Sequence, residues 1–110
     1  MVGKRLIGAG LSAIIVTAMH SATLAGPAVA TNWAVSAWTQ EQCFARAEAT
    51  LAELGYTVTE STKFSRSAQV GEYTLMIQCM AAAKDLIYFL TAGPSRPEVQ
   101  KYQARLFDKF

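Results

Sequence analysis

Residues 39–58 read TQEQCFARAEATLAELGYTV, and this stretch decides how the rest of the chain is parsed. Thr39 can accept a free amide of a first helical turn, and Gln42, three residues on, can reach back to complete a capping box. Phe44, Ala47, Leu51 and Leu54 recur at helical spacing, with Cys43 beside them. Glu41, Arg46, Glu48 and Glu53 fall mostly off that stripe. Gly55 ends the pattern, because glycine enters the left-handed region without a steric penalty. The stretch is an amphipathic helix, and from Tyr56 the chemistry changes to that of a strand.

Working outward toward the N-terminus, Asn32 to Trp38 reads as a first strand. Trp33, Val35 and Ala37 share one side, and Ala34, Ser36 and Trp38 the other. Toward the C-terminus, Tyr56 to Lys63 is expected to be a second strand, with Tyr56, Val58 and Glu60 on one face. Residues Phe64 to Glu72 read as a hairpin loop, and its Arg66, Gln69 and Glu72 are candidate binding residues. Tyr73 to Met80 is a third strand. Tyr73, Leu75, Ile77 and Cys79 point one way, and Thr74, Met76, Gln78 and Met80 the other.

Ala81 to Asp85 reads as a turn with a frayed strand edge, being too short for an independent helix. Leu86 to Ala92 is a fourth strand, apolar nearly throughout, which predicts a central place or burial on both faces. Gly93 and Pro94 break it. Ser95 and Glu98 form a second expected capping box, with Pro97 tolerated in the first turn. Val99, Tyr102, Leu106 and Phe110 are the apolar stripe of a last helix, and Lys101, Arg105 and Lys109 its solvated ridge.

The expected order is therefore βαβββα. It predicts an α+β two-layer sandwich, a four-stranded, mostly antiparallel sheet with two helices on one face. The strand–helix–strand start is compatible with a right-handed parallel crossover. The last three strands are expected to form a meander.

The first 25 residues have a different character. Lys4 and Arg5 precede an apolar run from Leu6 to Met19, and small residues follow. This is the layout of an export signal. The run of about 14 residues is shorter than the roughly 20 that span a bilayer as a helix. Thr23 and Ala25 place a cut before Gly26, whereas Ala28 and Ala30 place one before Thr31. The expected organisation is a signal at 1–25, with cleavage after 30 as the alternative, and one α+β domain over 31–110. The expected compartment is the periplasm or the exterior.

Removing Lys4 and Arg5 cancels the formal charge of +2, leaving eight basic and eight acidic residues. A neutral domain lacks the basic surface of a nucleic-acid binder. Cys43 and Cys79 are then candidates for a disulfide that closes a long loop, the alternative being two buried thiols. The sole histidine, His20, lies in the leader, so no imidazole remains for a triad or a general base near neutral pH. No phosphate loop, dithiol motif or metal-ligand spacing is present, and no cofactor is expected. Glu41, Glu48, Glu53, Glu60, Glu72, Glu98, Asp85 and Asp108 are available for carboxylate hydrolysis, but their spacing pairs none across a cleft.

Certain details resemble a set of small exported bacterial proteins of unknown function. They are the early-helix Cys43, the Leu54-Gly55-Tyr56 junction, and Val70-Gly71 ahead of Tyr73. Ile77-Gln78-Cys79 and the exit from Phe89 through Pro94 into a last helix belong to the same pattern. The resemblance spans most of the domain and implies export and the fold. It carries no catalytic residues.

Two helices cover one face of a four-stranded sheet, so the other face is left open. Met76 and Met80, Ile87 and Phe89 or their neighbours on the fourth strand, and Trp33 or Trp38 are the candidate residues of that surface. Apolar surface of this kind commonly marks an interaction site, and methionine and tryptophan suit adaptable contacts. The expected function is a non-enzymatic module that binds a protein partner or itself. The alternatives are a carrier of a small apolar ligand, a face covered by the chain's own segments, and a minimal carboxylate hydrolase. No nucleic acid is expected, and a membrane only through the signal.

Overall fold

A computed structural model describes residues 26–81 and 85–110. The proposed leader lies outside the described residues, as does the middle of the turn after Met80. The capped helix forms as read. It is α1, Gln40–Glu53, and follows the first strand β1, Ala28–Val35. Thr39 Oγ1 accepts from the Gln42 amide at 3.1 Å, and Gln42 Oε1 accepts from the Thr39 amide at 3.0 Å. Cys43, Ala47, Thr50 and Leu51 form the buried face, and the Thr50 hydroxyl is satisfied by the Arg46 carbonyl one turn back.

Four strands follow α1, where the sequence predicts three. They are β2 (Val58–Ser61), β3 (Ser65–Val70), β4 (Tyr73–Met80) and β5 (Leu86–Gly93), and α2 (Arg96–Lys109) closes the chain. The expected four-stranded βαβββα layout is corrected to a five-stranded sheet. Most of the predicted loop at 64–72 is β3, with a two-residue connection, Gly71-Glu72, between the paired residues Val70 and Tyr73. Gly71 has φ +61° and Glu72 is not left-handed. That combination fits a type II′ hairpin turn, which places glycine first.

The sheet order is β1-β5-β4-β3-β2, and every neighbouring pair is antiparallel. The strand–helix–strand start is a crossover between parallel strands that do not pair. β1 and β2 run the same way but stand at opposite edges, and α1 carries the chain across the whole sheet between them. The last helix also starts differently. Ser95 makes no side-chain capping bond, and Pro97, in the first turn, removes one of the amides it would have served.

Both helices lie on one face. Cys43, Ala47 and Leu51 of α1 and Leu106 of α2 share a core with Ala68, Leu75, Ile77, Cys79, Ile87 and Phe89. Each large apolar side chain withdrawn from water here stabilises by about 1.5–3 kcal/mol. Phe89 anchors α2 edge-on, with its ring centre 5.1 Å from that of Phe107 and 5.0 Å from that of Phe110.

Two polar devices fix the helices in register. Gln103 of α2 is buried. Its amide donates to Asn32 Oδ1 at 2.5 Å and to the Phe89 carbonyl at 3.1 Å, and its Oε1 accepts from the Thr91 hydroxyl at 2.6 Å. Gln40 of α1 donates to the Cys79 carbonyl at 2.6 Å and accepts from the Ala81 amide at 3.1 Å. One turn further along α1, Cys43 is bonded to Cys79, with Cα atoms 6.0 Å apart.

Candidate functional site

Strand alternation determines which residues reach the uncovered face. Cys79 is tied to α1, so Leu75, Ile77 and Cys79 face the helices, and Thr74, Met76, Gln78 and Met80 face away. Cross-strand pairing carries this phase into β5 and β1. Met80 lies beside Leu86, which lies beside Val35. Gln78, Tyr88 and Trp33 make the next row, and Met76, Leu90 and Thr31 the next. Thr74, Ala92 and Val29 complete the face at the far end.

The result is an open, largely apolar surface that grows more exposed toward β1. Val29, Trp33 and Val35 are 45%, 61% and 63% exposed, whereas Leu86, Tyr88, Leu90, Met76 and Met80 are half-buried by their neighbours. Toward β3 the residues on this side are small and polar, Ser65 beside Gln78 and Ser67 beside Met76, and both serines are buried among their neighbours.

Three of the six residues assigned to this surface from sequence are there: Trp33, Met76 and Met80. Ile87 and Phe89 are not. They are 3% and 1% exposed in the core, and Leu86, Tyr88 and Leu90 occupy the open face instead. An unbroken apolar strand gives no alternation from which to choose between these phases. Its one informative residue, Thr91, misleads, because it is polar yet points inward to Gln103. Trp38 lies beyond the end of β1 and packs on Phe110, 5.5 Å between ring centres, at the margin of the helix-covered core.

The three polar residues assigned to a binding loop do not converge. Arg66 is on β3 and points under α1. Its guanidinium lies 3.8 Å from the centre of the Phe44 ring, Nε donates to Glu48 at 2.8 Å, and a terminal nitrogen donates to the Thr62 and Ser65 carbonyls. Gln69 closes the hairpin by bonding the Gly71 carbonyl and the Thr74 hydroxyl. Glu72 is exposed on the turn. Glu60 was expected on the same side as Val58. A bulge between them pairs Val58 with Ala68 and Glu60 with Ser67, which turns Glu60 to the open side.

A crevice with no room for a water molecule is lined by residues including Trp38, Cys43, Leu86 and Ile87. Two shallow hollows of about 360 and 480 Å³ sit where the β3–β4 turn meets Pro94, lined by residues including Glu72, Tyr73 and Tyr102 in one and Gly26, Pro27 and Gly93 in the other. Among the described residues, no three or more of His, Cys, Asp and Glu cluster as metal ligands, and no helix is long and apolar enough to cross a membrane.

The class this defines is a small disulfide-bonded α+β domain with helices on one face of its sheet and an apolar, aromatic surface on the other. No protein-family model matches the chain, and no curated protein matches it.

Proposed function

We propose that this chain is an exported interaction domain that docks a protein, either another chain or a second copy, on its open sheet face. The observation that carries the reading is the continuous surface from Trp33 and Val35 through Leu86, Tyr88 and Leu90 to Met76 and Met80. Apolar area of this extent at the centre of a soluble face gains free energy when a partner removes it from water. The Cys43–Cys79 bond is consistent with an oxidising extracellular or periplasmic setting. Residues 1–25 supply the export signal in this reading, and no catalytic role is assigned to any side chain. The carrier alternative has less support, because the hollows stand open at the end of the sheet and enclose no apolar cavity.

The test is site-specific photocrosslinking in the compartment where the protein resides. A photoreactive residue at Tyr88 reports the open face, and one at Lys101 reports the exposed side of α2. Crosslinks to polypeptide from position 88 and none from position 101 are expected. Crosslinking from 101 alone, or a small molecule co-purifying in place of any protein, would overturn the proposal.

A further inference from the structure

The two edges of the sheet are built differently. β2 is four residues long, is bent by a bulge, carries Glu60 and is followed by Lys63. Short length, bulges and charge are how sheets keep other strands from pairing with an edge. β1 has none of these. It is eight residues long, its pairing with β5 is unbroken from Ala28 to Val35, and Pro27 stands outside it. No charged residue occurs anywhere in 26–40. Among the described residues, no strand lies beyond it.

We infer that β1 pairs antiparallel with β1 of a second copy, joining two sheets into one. This rests on the interaction reading above and names its partner. The sequence of β1 suits self-pairing, because a two-fold axis brings each strand against its own reverse and a charge near the axis meets its own copy. An uncharged strand incurs no such repulsion.

Residues opposite one another in an antiparallel pair point the same way, so the axis must fall on a residue. Overlap is greatest with the axis at Thr31 or Asn32. With the axis at Asn32, the outward Val29, Thr31, Trp33 and Val35 of one copy lie against the same set of the other; with it at Thr31, Val29 faces Trp33 and Val35 falls opposite Pro27. The flank of Trp33 then gains a cross-strand neighbour, and the two open faces become one continuous surface. The exposure of Val29, Trp33 and Val35, high beside the half-buried residues of β5, is what an edge of this kind leaves for a neighbour to cover.

The experiment is analytical ultracentrifugation of the oxidised protein, purified from an exporting host, over a wide concentration range. The variants are Thr31→Lys and Thr31→Glu, at an exposed position in the middle of β1. The wild type is expected to double in mass with concentration. Each variant alone is expected to weaken the dimer at least tenfold, and an equimolar mixture of the two to restore it. Near-UV circular dichroism checks that each remains folded. A wild type that stays monomeric at millimolar concentration overturns the inference while leaving crosslinks from Tyr88 to another protein intact. A dimer that survives both single variants places the contact elsewhere and also overturns it.

Discussion

The ring of Tyr73 lies against the backbone of Gly93, so close that a β-carbon there would sit 2.0 Å from Cδ1. Tyr73 in turn stacks on Tyr102, 5.0 Å between ring centres, and Tyr102 meets Tyr56 edge-on at 6.3 Å. The missing side chain of Gly93 is therefore the space this aromatic row occupies. Gly93→Ala is expected to displace Tyr73 and destabilise the fold by about 1–3 kcal/mol. The shift in the urea midpoint measures it. Gly93→Ala with Tyr73→Leu should recover part of the loss.

Gln103 serves three partners from two strands. Gln103→Leu leaves the Thr91 hydroxyl and the Phe89 carbonyl without their bonds inside the core, and is expected to cost about 2 kcal/mol or more. Adding Thr91→Val removes one of the orphaned groups and should regain stability. A double-mutant cycle by denaturant unfolding gives the coupling.

Cys43 and Cys79 are 2% and 0% exposed and close a 36-residue separation. The paired Cys43→Ala and Cys79→Ala variant is expected to lose about 2–4 kcal/mol. In the wild type, a thiol reductant should act slowly under native conditions and quickly in denaturant, read by alkylation and mass.

Arg66 combines a stack on Phe44 with bonds to two carbonyls and Glu48. Arg66→Lys retains the charge and loses the planar fork, so a loss of about 1–2 kcal/mol is expected. Glu48→Gln should matter less, because the Glu48 side chain is 52% exposed and a pair of this kind contributes little. Thermal unfolding of the two variants ranks them.

The two cleavage positions differ in what they leave. A cut before Gly26 keeps β1 whole, whereas one before Thr31 removes Ala28, Val29 and Ala30 from their pairing with β5. The mature protein is expected to begin at Gly26, and intact mass after export decides it.

Both helices, β4 and β5 were readable because each carries a local signal: a cap, an apolar stripe, an alternation or a long apolar run. The disulfide was readable from two cysteines in a chain that begins with the layout of an export signal, with buried thiols as the alternative. β3 was not, for a physical reason. Its sequence, Ser-Arg-Ser-Ala-Gln-Val, has only Ala68 and Val70 as inward apolar residues, and Arg66 covers the rest of its inner side by stacking on a helix 18 residues or more away in sequence. Its available signal was Val70-Gly71-Glu72-Tyr73, a two-residue hairpin connection rather than the tip of a long loop. The open face was legible in kind, through Trp33, Met76 and Met80. Its membership on β5 depended on a register that no local pattern contains. The Asn32–Gln103–Thr91 cluster was invisible for the same reason, since its members meet only after β1 has paired with β5.

That last pairing imposes an order of events. β2 to β5 follow one another in the chain and meet their neighbours across short connections, but β1 is made first and belongs beside the strand made last. A chain emerging from a ribosome or a membrane channel with its N-terminus leading must hold Ala28–Val35 unpaired until Gly93 is out. For that interval, a stretch with no charge to keep it apart from its neighbours is open to pairing with the wrong strand.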